Sequence, residues 1–322
     1  SSGAHATDAV VVVRSVMSSA VFENCVTLSS SIPLMVNEAV SVEVPFDVNA
    51  ISAERMVAAL GFAWNVQFFS ISVGIGLMIA ATALVSKAIG QGRREEARRF
   101  ATGCMALGVC LQALVAILIV IFRSKIVAFT GATGETALLA ERFLLISVPT
   151  LPLMAIGMIG SAILRSEGDA YRAMFVTMSA GLVAVVADPI LIIWFDLGLD
   201  GAAINTGLSR LVSTLIAIWS VIRVHNLLGG LNLSIIKVAF IPFLIIALPA
   251  ILTQLSGPFA SFIITRAIAE FGDSAVAGLS VVNRLSVVAF GEIFSLSAAI
   301  GGIFGQNFGA QMFDRVRSTY WN

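Results

Sequence analysis

The sequence predicts an all-α polytopic membrane protein, and three observations lead there. Of its 322 residues 58% are hydrophobic and only 12% are charged, with a mean hydropathy of +0.98, whereas a soluble domain carries about 25% charged residues. Long runs of the chain hold no charge at all, and about 20 mainly apolar residues suffice for a helix to cross a bilayer. Basic residues collect in alternate loops, as the cytoplasmic loops of multi-span proteins do.

The elements are taken in chain order. Residues 1–55 form an atypical segment: the run 24–37 is uncharged but short, and Glu38, Glu43, Pro45 and Asp47 crowd the stretch after it. It reads as a doubtful, degenerate first span. Seven clear spans come next. Met56–Ser86, Phe100–Phe122, Phe143–Leu164 and Val238–Thr265 are free of Asp, Glu, Lys and Arg. Ala173–Phe195 is interrupted only by Asp188, and Gly201–Ile222 only by Arg210; Ser274–Gln311 carries Arg284 and Glu292. None has the length or the alternation of a strand. Lys87, Arg93, Arg94, Arg98 and Arg99 crowd the connection after the first clear span, which places that loop in the cytoplasm.

Net charge is zero, so nothing in the charge balance points to nucleic acid. The three cysteines, Cys25, Cys104 and Cys110, match no metal or redox spacing and read as small apolar residues. The chain starts with Ser and lacks a basic segment followed by a short apolar run, so it reads as a fragment without a signal peptide. It holds neither H-E-x-x-H nor G-x-S-x-G, and no enzyme activity or metal site is expected.

One internal repeat stands out. MVAALG (56–61) aligns with AVAGLS (275–280) at an offset of 219, which also sets Leu77 on Leu296, Gly90 on Gly309, Glu95 on Asp314 and Arg98 on Arg317. The second copy lies six spans on from the first, so the two run in the same direction. A parallel repeat of this kind predicts two lobes related by an axis along the membrane normal.

Asp188 is the residue that asks for a function. It stands eight residues before Asp196, where its span ends, and so lies about 12 Å deep at 1.5 Å per residue. A charge at that depth costs several kcal/mol unless it is paired or protonated, and acids in that position default to functional roles. Pro189 beside it removes an amide and frees the carbonyl four residues back, leaving polar backbone to line a cavity. Arg210, about ten residues into the antiparallel neighbouring span, offers the structural alternative of a permanent ion pair. Trp64, Phe68 and Phe69 with Asn65 and Gln67 form an aromatic, amide-bearing patch that could hold an organic cation by cation–π contact, or simply pack.

Several stretches together resemble the multidrug and toxic compound extrusion (MATE) family of secondary transporters, especially its DinF-like branch. They are ATALVSKAIGQGRREEARR (81–99), AILRSEGDAYRAM (162–174), ADPILIIWFDLGLDGAAINT (187–206), LPAILTQL (248–255) and GQNFGA (305–310). The resemblance covers about residues 56–322. It implies a two-lobe bundle of twelve helices, of which this chain matches the second to the eighth, making a truncated MATE-type fold. Residues 56–228 would then be the first lobe and 229–322 the start of the second. It implies an antiporter of the cell inner (plasma) membrane, monomeric, which exports small organic and often cationic compounds in exchange for protons or sodium and needs no other cofactor. By the same resemblance Asp188 belongs to a first-lobe coupling site, with Thr206 close to it and Asp47 standing for the acid of the first helix. Asn205 replaces an apolar residue of the family pattern, and Ala184 replaces its Asn. Trp64, Gln67, Asn205 and Gln254 are expected to line the substrate cavity. The carboxylate that sodium-type members carry in the seventh helix is absent between Val238 and Thr265. A lipid-linked flippase of the wider superfamily, or an inactive fragment, are the alternatives.

Overall fold

The structure, a computed structural model, describes residues 48–132, 134–230, 232–269 and 300–321. Among these residues the regular structure is helical throughout. Helices α1 (Val48–Gly90), α2 (Arg94–Phe129), α3 (Gly134–Ser147), α4 (Leu151–Glu167), α5 (Ala170–Pro189), α6 (Gly198–Trp219) and α7 (Leu233–Ala269) follow one another, with a short 3₁₀ turn, Val148–Thr150, joining α3 to α4. The described end of α8, residues 300–309, leads into α9 (Phe313–Trp321).

Six stretches are long and apolar enough to cross a membrane, α3 and α4 counting together as Gly134–Glu167. They match six of the seven expected spans, with ends that shift by one to nine residues in either direction. The seventh, Ser274–Gln311, lies mostly outside the described residues, as do the doubtful first span, Asp47, Cys25, Arg284 and Glu292. Large apolar side chains point away from the bundle at helical spacing: Leu114, Leu118 and Ile121 on α2, Ile241, Ile245, Leu248 and Leu252 on α7. With lipid around them, such rows cost nothing. Of the cysteines, Cys104 is a buried core residue as expected, whereas Cys110 is exposed among the outward apolar rows.

Helix α1 is the axle, packed against α2, α4 and α7, while α5 pairs with α6. Two apolar clusters fill the interior. One holds Leu77, Val85, Met105, Ile163 and Phe243; the other, toward the opposite end of α1, holds Val66, Ile119, Phe143, Leu151 and Ala203. Between them lies a polar layer, in which Gln112 Nε2 donates to the Ser70 carbonyl at 3.0 Å and Gln67 meets Ser147.

At one end of the bundle three connections are tied together. The α4–α5 turn is written by its sequence, Glu167-Gly168-Asp169. Gly168 closes α4 at φ 91°, a left-handed conformation suited to glycine, and Asp169 caps α5 by accepting from the Arg172 amide at 3.0 Å. Arg94 reaches Glu167 at 3.0 Å and donates to the His225 carbonyl at 3.1 Å. His225 Nε2 meets Asp169 Oδ2 at 2.8 Å, Arg98 donates to Asn226 Oδ1 at 3.0 Å, and the Gly229 amide donates to Thr102 Oγ1 at 2.8 Å. The connection that leaves α6 is thereby fastened to α2 and to the α4–α5 turn.

Asp169 holds much of that fastening. Burial alone would raise its carboxyl, but hydrogen bonds from the Arg172 amide and guanidinium and from His225 outweigh burial and hold it below the usual carboxylate range. A pKa depressed in the folded state stabilises the protein above the unfolded value, near 4, and that contribution is lost as pH falls through the folded value. Asp169→Ala is therefore expected to cost about 1–2 kcal/mol at pH 7, mostly as a lost helix cap. The difference from wild type should shrink as pH drops below about 4. Thermal unfolding in detergent across that range checks this, and equal melting temperatures at pH 7 would refute it.

The last described helices return to α1 at the same end. A Cβ on Gly90 would run into the Gln306 carbonyl, and one on Gly309 into the Lys87 carbonyl. Under the 219-residue offset Gly90 is equivalent to Gly309 and Lys87 to Gln306, so each contact is the other with partners exchanged. Gly305 lies against Ser86 and Gly301 against Thr82, which are pairs of repeat-equivalent positions. Contacts that exchange in this way are the mark of a two-fold axis running between α1 and α8.

Candidate functional site

Two polar groups occupy the membrane interior of α5 and α6. The first is built around Asp188. Helix α5 ends at Pro189, whose ring leaves no amide to continue the α pattern, and a π turn, Ile190–Trp194, follows it. Asp188 is 6% exposed. Asn205 on α6 donates through Nδ2 to Asp188 Oδ1 and, at 3.3 Å, to the Ala184 carbonyl one turn earlier on α5. The Asn205 Oδ1 and the Ser209 hydroxyl one turn along α6 are both buried and have no hydrogen-bond partner among the described residues. A carboxylate, an unsatisfied amide oxygen and an unsatisfied hydroxyl thus lie along the α5–α6 seam. Among the described residues nothing cationic is bonded to the acid, which is left free to exchange a proton or face a small cation.

The second group surrounds Arg210. The turn Ile146-Ser-Val-Pro-Thr-Leu-Pro152 explains it. Pro152 has no amide, and the Leu151 amide bonds the Val148 carbonyl in a 3₁₀ pattern, so the Ser147 carbonyl loses its usual partner within the helix. Arg210 Nη1 donates to that carbonyl at 3.0 Å and to Thr150 Oγ1 at 2.7 Å, and Nη2 donates to Gln67 Oε1 at 2.9 Å. Gln67 in turn donates through Nε2 to Ser147 Oγ at 2.9 Å.

These geometries correct three readings of the sequence. Arg210 is not the ion-pair partner of Asp188: positions 205 and 210 differ by roughly 140° around a helix, so Asn205 faces α5 while Arg210 faces α1 and the α3–α4 turn. Gln67 is not a free amide of a substrate cavity, because it is 4% exposed and both its ends are engaged within the protein. Asn205 belongs with the carboxylate instead, and is 2% exposed. Thr206, which the family resemblance sets close to Asp188, turns its hydroxyl to the Ala202 carbonyl of its own helix at 3.0 Å. Trp64 and Gln254 are partly buried, and neither joins the two groups. From the neighbouring patch, Phe69 meets Phe259 of α7 edge-on with ring centroids 5.0 Å apart, so at least this ring packs helix against helix. Ser147, Thr150 and Ser209 do not stand out in the sequence. The visible signal for the first two is a polar residue two positions before each of two prolines in an otherwise apolar run.

The sequence matches the MatE family over residues 48–190 and 249–321, two stretches that take in all of α1 to α4, Asp188, most of α7 and the α1–α8 contact. The chain belongs to the MatE family. Among curated relatives it is 26% identical over 282 residues to the FAD transporter of Shewanella oneidensis, covering 85% of this chain and 62% of that protein. It is 24% identical over 283 residues to the multidrug export protein MepA of Staphylococcus aureus, covering 84% of this chain and 61% of MepA. The chain thus spans about three fifths of the length of these relatives. The Vibrio cholerae MATE transporter VcmN, in a crystal structure of a point mutant, superposes with a TM-score of 0.77 at 25% identity, covering 95% of this chain and 69% of VcmN. The family's fold is therefore the fold of this chain, as its sequence motifs imply.

Proposed function

We propose that the protein is a secondary antiporter of the cell inner membrane that exports small organic compounds in exchange for protons or sodium. Asp188 carries this reading: a carboxylate buried in the span, bonded by a neutral amide and by no cation among the described residues, is a group whose charge can change. One carboxylate cannot hold the coupling ion and at the same time favour the state that binds substrate. Exchange follows if occupancy of Asp188 shifts the two lobes between inward- and outward-open forms. The lobes are 56–228 and the part beginning at 229. The exchanged contacts of α1 and α8 and the fastening of the 225–229 segment to α2 and the α4–α5 turn support that division.

The named cargo of the relatives, FAD and drugs, supports organic molecules rather than inorganic ions as the class of cargo. The basic end of α1 would face the cytoplasm. In sealed vesicles holding the protein, imposing a proton or a sodium gradient should drive ethidium across the membrane, and dissipating that gradient should stop it. Ethidium movement indifferent to both gradients would sink the antiport mechanism.

A further inference from the structure

We propose that Arg210 binds the oxyanion of an exported compound, a phosphate or carboxylate group, so that the first lobe accepts anionic as well as cationic cargo. This rests on the export function proposed above and adds a substrate class to it.

The observation is a guanidinium inside the membrane that no carboxylate neutralises among the described residues. All three acceptors of Arg210, the Ser147 carbonyl, Thr150 Oγ1 and Gln67 Oε1, are uncharged. They orient the group without cancelling its charge, and an ionisable side chain inside a membrane is by default a candidate for function. Asp188 cannot serve, since it faces the other side of α6. Guanidinium offers five N–H donors, and three are taken. The Nε–H and one Nη2 N–H remain, and the side chain is only partly buried. Two donors on one planar, permanently charged group suit the two oxygens of a carboxylate or phosphate.

The setting is also fixed in advance. The α3–α4 turn leaves the Ser147 carbonyl without its helical amide donor; Thr150 Oγ1 donates to it at 2.7 Å and Gln67 donates to Ser147 Oγ, so the acceptors that aim Arg210 are themselves held. A cation required only for packing would need no such bracket: an apolar side chain would fill the layer between the two clusters at lower cost. The arrangement thus sets Asp188 of α5 and Arg210 of α6, one acid and one base, toward different sides of α6, where each is free to meet a different ligand.

The test uses three fluorescent probes on the protein in detergent or nanodiscs. FAD and riboflavin share the flavin ring, and FAD alone carries phosphates; ethidium is a cation. Wild type should bind FAD at least about tenfold more tightly than riboflavin, with the difference shrinking at high salt. Arg210→Gln should reduce FAD affinity to that of riboflavin and leave ethidium affinity unchanged. Arg210→Lys, which keeps charge without the planar fork, should restore part of the preference. Equal affinity of wild type for FAD and riboflavin overturns the proposal without recourse to any variant, and leaves the export function standing if ethidium still binds. Retention of FAD preference by Arg210→Gln, or parallel loss of all three ligands, also overturns it, the second outcome marking Arg210 as purely structural. Failure of wild type to bind any of the three overturns the export function itself, and this inference with it.

Discussion

Asp188→Asn is expected to abolish ion-driven efflux, reducing it to the leak of vesicles without protein, while the protein folds and melts almost as wild type. The two halves of that result have separate causes. Asn cannot be charged, so a site whose work is to gain and lose a charge stops. Its amide, however, can donate to the Asn205 Oδ1 that now lacks a partner, and its oxygen can still accept from Asn205 Nδ2. The stability change should therefore stay within about 1 kcal/mol, the net worth of one exchanged hydrogen bond.

A structural ion pair makes a different prediction. Removing one partner of a buried pair strands the other charge and costs about 3–5 kcal/mol. With Arg210 bonded to Ser147, Thr150 and Gln67, no such loss is expected. Asp188→Leu supplies the contrast: it leaves the Asn205 amide with only a long contact to Ala184, and should cost about 1–3 kcal/mol on top of the lost efflux. Efflux and unfolding measured on the same preparations separate the two accounts. Normal coupled efflux by folded Asp188→Asn would show that the exchanging group lies elsewhere.

What could be read from the sequence and what could not divide along a physical line. The membrane class and six spans were legible, because a helix in lipid must be apolar over its whole length and little else satisfies that. The turn at Gly168 and Asp169 was not read from the sequence, yet it follows residue type, since a left-handed cap and an N-cap each favour a small set of residues. Asp188 was visible because an acid in an apolar run is costly anywhere. Its partner was not. Arg210 lies at a similar depth on the next helix, and depth is all that a linear sequence offers; the angle around α6 decides between it and Asn205. Asn205 and Ala184 each read as a departure from the family pattern. In three dimensions they are one arrangement: where Ala184 supplies no polar side chain on α5, the Asn205 amide reaches across from α6 to its carbonyl and to the acid together. Gln67 misled for the same reason, an amide beside aromatic residues in sequence being turned inward to Ser147 and Arg210.

The internal repeat makes the last prediction. Gly90→Val and Gly309→Val are expected to destabilise the protein by similar amounts, about 1–3 kcal/mol or more each, because a branched side chain at either position meets a backbone carbonyl that cannot rotate away. The similarity follows from the exchanged partners: Gly90 faces Gln306 and Gly309 faces Lys87, and the offset maps one contact onto the other. The double substitution should cost clearly less than the sum of the two, since either change alone already parts α1 from α8. Gly61→Ala on the same helix is the control of opposite sign. A Cβ there meets nothing within 4 Å, so losing a helix-interior glycine should stabilise by about 0.5–1 kcal/mol. Thermal or denaturant unfolding in detergent reads all four. A large loss at Gly90 with none at Gly309, or fully additive losses, would mean that the contact is ordinary helix packing and that no axis relates the two copies. Matched and non-additive losses would place the pivot of the two lobes at this glycine pair, at the same end as the fastened 225–229 segment, where a small rotation about the axis opens one face of the bundle as it closes the other.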